Sequence, residues 1–129
     1  MGKNILIVDD VASLRVELVY MVEDEGHSPL EAGNGLEAIE VMTHTNIDLL
    51  ITDVMMPEMD GIELSCYCRK SFPDLKIIIM SGGGNLNVSD QGNKSDIFEE
   101  IKDKKCADQT FKKPFDYDDM VTAINKFLE

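Results

Sequence analysis

Five polar side chains close apolar runs of this chain or directly follow them, and their types define a chemistry before any fold is assigned. The acidic pair Asp9-Asp10 ends the run Ile5-Leu6-Ile7-Val8, and Asp53 ends Leu49-Leu50-Ile51-Thr52. Ser81 ends Ile77-Ile78-Ile79-Met80, and Lys113 follows the short segment Gln109 to Lys112. Carboxylates brought together repel, so they need a counter-charge or must partly protonate. A hard divalent cation supplies that charge. Mg²⁺ suits oxygen ligands, keeps several waters, and is typically held by one or two carboxylates together with a phosphate. A lysine and a hydroxyl beside it suit the equatorial oxygens of a phosphoryl group in transfer. The chemistry indicated is phosphoryl transfer to a carboxylate, with Asp53 as the nucleophile.

That chemistry requires residues spread over most of the chain to meet, so the elements carrying them must share an edge. Short apolar runs bounded by breakers read as buried strands. After Val11 the spacing becomes helical, with Leu14, Leu18, Met21 and Val22 on one face and Gly26 as the terminator. Ser28 to Ala32 is a weak strand candidate. Asn34 and Glu37 have the spacing of a capping box before Ala38, Ile39 and Met42, and Asp60 and Glu63 repeat it before a helix ending near Phe72-Pro73. Gly82 to Lys94 is expected to be a long loop, and helical spacing returns at Ile97, Phe98 and Ile101. The last helix is expected to be capped by Asp116 and to bury Tyr117, Met120, Val121, Ile124 and Leu128. Strand and helix thus alternate along the whole chain, which predicts an α/β domain with a parallel sheet covered on both faces. With right-handed crossovers, Asp9, Asp10, Asp53, Ser81 and Lys113 fall on one edge.

The 129 residues are expected to form one domain spanning 1–129, with no output domain. A net charge of −13, from 25 acidic and 12 basic residues, argues against nucleic-acid binding, which rests on clustered Lys and Arg. Three cysteines, Cys66, Cys68 and Cys106, are odd in number and lack zinc-site spacing, so neither a disulfide nor a structural metal is expected. A reducing cytoplasm fits that usage. No stretch approaches the ~20 apolar residues of a membrane span.

The chain resembles the receiver domains of two-component response regulators. The resemblance is carried by Asp9-Asp10, by Asp53-Val54-Met55-Met56-Pro57-Glu58-Met59-Asp60-Gly61, by Ser81 before Gly82, and by Lys113-Pro114-Phe115. It implies a flavodoxin-like (βα)5 doubly wound sheet of strand order 2-1-3-4-5. It also implies that Asp53 accepts a phosphoryl group from a phosphohistidine of a histidine kinase or phosphotransfer protein. Asp10, Asp53 and the backbone carbonyl of Met55 would then hold Mg²⁺, Asp9 would act mostly through water, and Ser81 and Lys113 would hold the phosphoryl oxygens. A downstream protein would read the phosphorylated state, on a surface that in this family usually involves the fourth and fifth helices and the fifth strand.

Two features depart from the family. Thr110 stands where many receivers carry a Tyr or Phe whose ring responds to the hydroxyl residue, and the interval from Ser81 to Lys113 is longer than in chemotaxis receivers. Simpler readings stand beside the catalytic one: Asp53 as a strand-end cap, Asp9-Asp10 as a helix cap, Ser81 as a turn serine. Of other functions, an aspartyl phosphatase of the haloacid-dehalogenase type would need a second Asp at position 55, where Met55 stands. A flavin module would need a phosphate-cradling turn after Asp10, which lacks the Ser, Thr and Gly residues for it. Passage of the phosphoryl group to a second histidine, as in a phosphorelay, is the alternative within the family.

Overall fold

The computed structural model describes residues 2–56, 59–81 and 106–128, and the expected Gly82 to Lys94 loop and the helix around Ile97 to Ile101 lie outside them. Along the chain come β1 (Asn4–Val8), α1 (Ala12–Asp24), β2 (Ser28–Ala32), α2 (Gly35–His44), β3 (Leu49–Asp53), α3 (Gly61–Ser71), β4 (Lys76–Ser81), β5 (Gln109–Lys112) and α4 (Tyr117–Leu128). The strands form one sheet of order β2-β1-β3-β4-β5 with every pairing parallel, the flavodoxin-like arrangement that was expected.

The composition of each strand follows its place in that order. Central β3 is buried at all five positions, as β-branched and Leu residues on a strand covered from both sides must be. Edge strands β2 and β5 are only partly buried, which is why Pro29 and Glu31 are tolerated and why these segments look weak in sequence. Alternation divides the core into two. Leu6, Val8, Leu50, Ile77 and Ile79 face α2 and α3 through Ala38, Met42, Leu64 and Cys68. Ile5, Ile7, Leu49, Ile51, Ile78 and Met80 face α1 and α4 through Leu18, Met21, Val22, Met120 and Ile124. Each such fully buried aliphatic contributes roughly 1.5–3 kcal/mol of transfer free energy.

Helix ends are set by local chemistry. Asn34 Oδ1 accepts from Glu37 N at 2.9 Å, while Glu37 reaches back to Gly33 N at 2.7 Å. Asp60 Oδ1 accepts from Glu63 N at 2.8 Å. Gly26, at φ +86°, ends α1 in the left-handed conformation that favours glycine. Asp116 immediately precedes α4, its carbonyl accepting from Met120 N at 3.1 Å.

Three expectations are corrected. Leu14 is 40% exposed and Tyr117 48% exposed, although helical spacing placed both on core faces. Each lies in the first turn of its helix, and Leu14 lines an open cleft beside Met80 and Phe115 instead of the closed core. Cys66 and Cys106, read in sequence as unpaired, are joined by a disulfide across 40 residues with their Cα atoms 5.0 Å apart. Cysteine parity and spacing carry no information on such a meeting, because it is created by the docking of α3 beside the entry to β5. Cys68 fills the core as expected, and burial pushes its thiol up to about 12.

Candidate functional site

The parallel register brings the predicted residues to the carboxyl edge of the sheet. Asp9 and Asp10 follow β1, Asp53 is the last residue of β3, Ser81 the last of β4, and Lys113 follows β5. Backbone bonds continue the sheet past the strand ends and fix these positions. Asp9 N donates to Ala32 O at 3.2 Å, Val54 N to Met80 O at 2.9 Å, and Lys113 N to Ser81 O at 2.7 Å. The Lys113-Pro114 peptide is cis.

Asp9, Asp10 and Asp53 each offer a carboxylate oxygen, and these oxygens lie within 4.8 Å of one another. Lys113 Nζ is 3.2 Å from Asp9 Oδ2 and 3.6 Å from Asp53 Oδ1. Asp9 is fully buried and Asp53 is 8% exposed, whereas Asp10 is exposed. Burial pushes the Asp53 carboxyl up to about 6, the Lys113 ammonium opposes that rise, and Asp9 adds to it. Asp9 Oδ1 accepts from Val11 N at 3.0 Å and Asp53 Oδ1 from Val54 N at 2.9 Å, so Asp53 does close its strand end locally, whereas the helix-cap reading of Asp9-Asp10 fails, because the N-cap of α1 is Val11 and no side chain caps that helix. Those bonds orient the two carboxylates without using their remaining oxygens.

Ser81 Oγ is buried and has no hydrogen-bond partner among the described residues. A hydroxyl stripped of water and left unpaired costs about 1–3 kcal/mol, and an atom of a bound ligand would relieve that cost. Met55, two residues past Asp53, is 54% exposed, while Met56 packs against the core as expected. Lys112 is exposed and Lys113 is turned into the site, as the sequence indicated.

Two features escaped the sequence. Arg15 Nη1 donates to the Asp9 carbonyl at 2.5 Å while its Nε pairs with Glu31 at 2.9 Å, tying α1 and β2 to the acidic pair. The only trace in sequence is a cation one helical turn and a half past Asp10. A cleft of about 320 Å³ also opens beside Asp9 and Lys113, walled by Leu14, Leu18, Met80 and Phe115. The exposure of Leu14, which periodicity misassigned to the core, is what creates its apolar wall. Thr110 is half-buried, and the aromatic next to it does not replace the missing ring. Phe111 packs on the α1 and α4 side against Phe115, with ring centroids 5.9 Å apart.

Comparison with known proteins agrees with this geometry. Residues 5–125 match the model of the response regulator receiver domain. The chain is 34% identical to sporulation initiation phosphotransferase F of Bacillus subtilis, covering 99% of this chain and 95% of that protein. It is 35% identical to the chemotaxis protein CheY of Thermotoga maritima, covering 98% of each. Among solved structures, the response regulator protein TrrA of Thermotoga maritima in complex with Mg²⁺-BeF superposes with a TM-score of 0.78 at 30% identity, covering 97% of this chain and 98% of that one. The chain belongs to the response regulator receiver domain family of two-component signalling. Among its described residues no helix is long and apolar enough to cross a membrane.

Proposed function

We propose that Asp53 accepts a phosphoryl group from a phosphohistidine of a histidine kinase or histidine phosphotransfer protein, and that the acyl phosphate switches a surface read by a downstream protein. The carrying observation is the meeting, at one sheet edge, of the three close carboxylates, the Lys113 ammonium and the buried Ser81 hydroxyl, which has no partner among the described residues. Asp9, Asp10, Asp53 and the Met55 carbonyl are the residues that would hold Mg²⁺, with Asp9 acting mostly through water. The oxygen-only donor set suits that ion, and when bound it neutralises charge on the transferring phosphoryl oxygens.

The residues themselves do the rest. With its carboxyl titrating near 6, Asp53 is largely ionised at neutral pH and presents a carboxylate oxygen as the nucleophile. That oxygen forms a bond to phosphorus as the phosphorus–nitrogen bond breaks, and the imidazole leaves with the electron pair and takes a proton from solvent. Lys113 stabilises charge on the phosphoryl oxygens, and Ser81 Oγ donates to one of them. The protein performs only its own phosphorylation and dephosphorylation and is a signalling switch acting in the cytoplasm, not an enzyme with a separate substrate. The apolar cleft and exposed Val11 and Leu14 beside the acidic pair suit a protein phosphodonor better than a free metabolite.

A phosphorelay role, in which Asp53 passes the group on to a second histidine, is favoured by the similarity to sporulation initiation phosphotransferase F over nearly the full length of both chains. A purified histidine kinase carrying labelled phosphohistidine tests both readings. Label should move to this protein only with Mg²⁺, and in a relay it should then drain to a histidine phosphotransfer protein. Failure to accept label from any of a broad panel of kinases contradicts the first reading; label that decays only as inorganic phosphate contradicts the relay.

A further inference from the structure

The phosphoryl chemistry leaves one reactive group unused, the sulfur bridge between Cys66 of α3 and Cys106 at the entry to β5. It lies on the amino side of β5, away from the edge that carries Asp53. We propose that Cys66 and Cys106 are a reversible thiol–disulfide switch that sets the rigidity of the junction between α3 and β5. The premise of a reducing compartment rests on the cytoplasmic setting proposed above, in which disulfides are usually transient or redox-sensing rather than permanent staples.

Reversibility requires that the two sulfurs stay neighbours when the bond is open, and the surroundings of the pair provide this without it. Arg69, one turn after Cys66, donates through Nη2 to the Cys106 carbonyl at 3.0 Å and to Asp108 Oδ2 at 2.8 Å. Its Nη1 donates to the Leu75 carbonyl at 3.0 Å. Asp108 Oδ2 also accepts from Ile77 N at 2.8 Å, and Asp108 N donates to the Ile77 carbonyl at 2.8 Å. The segment that carries Cys106 is therefore fastened to α3 and to β4 by charge-assisted bonds independent of sulfur. The Cα separation of 5.0 Å is within the range that a disulfide spans without backbone movement.

Selectivity follows from burial. Cys66 is only partly buried, whereas Cys68 is fully buried and burial pushes its thiol up to about 12, which disfavours the reactive thiolate. The oxidant is a low-molecular-weight disulfide. The pair gives up two protons and two electrons, one intramolecular sulfur–sulfur bond forms, the small disulfide is split, and two small thiols are released. Reduction by a dithiol reverses each change.

The test needs no phosphodonor, so its failure is separable from failure of the phosphoryl-transfer reading. The whole protein is equilibrated in graded mixtures of reduced and oxidised glutathione, quenched with an alkylating reagent under denaturing conditions, and analysed by intact mass and peptide mapping. Of the three cysteines, all should be labelled at the reducing end and Cys68 alone at the oxidising end. The oxidised form should melt roughly 5–15 °C above the reduced one. Cys66→Ser and Cys106→Ser should each abolish that difference, and Arg69→Met should lower the oxidised-to-reduced ratio at fixed buffer roughly tenfold by loosening the pair. Three labelled cysteines at every mixture, a bridge to a second copy, or identical melting of the two forms overturns the proposal. An unchanged ratio in Arg69→Met overturns the role of the clamp.

Discussion

Replacing Asp53 by Asn should stabilise the metal-free fold at neutral pH. Asp53 is 8% exposed, and its carboxyl is raised from 3.8 to about 6, first by burial and then by Asp9. The folded state therefore binds this proton more tightly than the unfolded state. Between pH 3.8 and 6 the native protein retains a proton that the unfolded chain releases, so Asp53 lowers stability progressively as pH rises through that window. About two units at roughly 1.4 kcal/mol each set a ceiling near 3 kcal/mol above pH 6. Asn removes that cost. The rise already includes the opposing attraction of Lys113 at 3.6 Å, and Lys113 keeps Asp9 at 3.2 Å in the variant, so what reduces the gain is the cost of burying the Asn amide itself. The net gain should be ~1–2 kcal/mol at pH 7.5. Urea unfolding of both proteins with a chelator present, at pH 7.5 and pH 4.5, measures it. The gain should shrink at the lower pH. A variant no more stable than wild type at pH 7.5, or a gap that does not narrow on acidification, would show that Asp53 is not electrostatically strained.

Ser81→Ala should leave stability unchanged or raise it by about 1 kcal/mol, because the buried hydroxyl has no partner to lose among the described residues, yet should slow phosphorylation roughly 100-fold; a clear loss of stability in thermal melts would show that the hydroxyl is structural. Gly61→Ala should destabilise by ~3 kcal/mol or more, because a Cβ there would overlap the backbone carbonyl of Asp53 where α3 begins. Denaturant unfolding checks this, and an unaffected midpoint would mean that α3 does not press on the Asp53 strand end. Phospho-Asp53 should persist for minutes or longer in Mg²⁺ buffer, since Met55 offers no side-chain amide or acid to orient an attacking water; decay within seconds would refute it.

The strands, their shared edge and the acidic constellation were legible because each rests on local pattern. Apolar runs closed by Asp9, Asp53 and Ser81 mark buried strands, and their parallel direction follows from alternation with helices, whereas the order 2-1-3-4-5 came only from the family resemblance. Asn34 and Asp60 were readable as caps for the same reason, their partners being three residues away. What sequence missed depends on contacts between distant segments. The Cys66–Cys106 bridge, the Arg69 clamp and the Arg15 bond to the Asp9 carbonyl all join elements whose neighbourhood exists only after docking. Leu14 and Tyr117 show the opposite failure: helical period identifies a face but not which of its positions the rest of the chain covers.

Incubation with Mg²⁺ and acetyl phosphate, followed by intact mass and peptide mapping, bears most directly on the role of Asp53. Wild type should gain a single phosphoryl group on the peptide containing Asp53, labile to hydroxylamine as an acyl phosphate is, and should gain none when Mg²⁺ is chelated. Asp53→Asn should gain none at that site. Labelling that survives the substitution, or that proceeds equally well without the metal, would contradict the assignment of Asp53 as the phosphoacceptor.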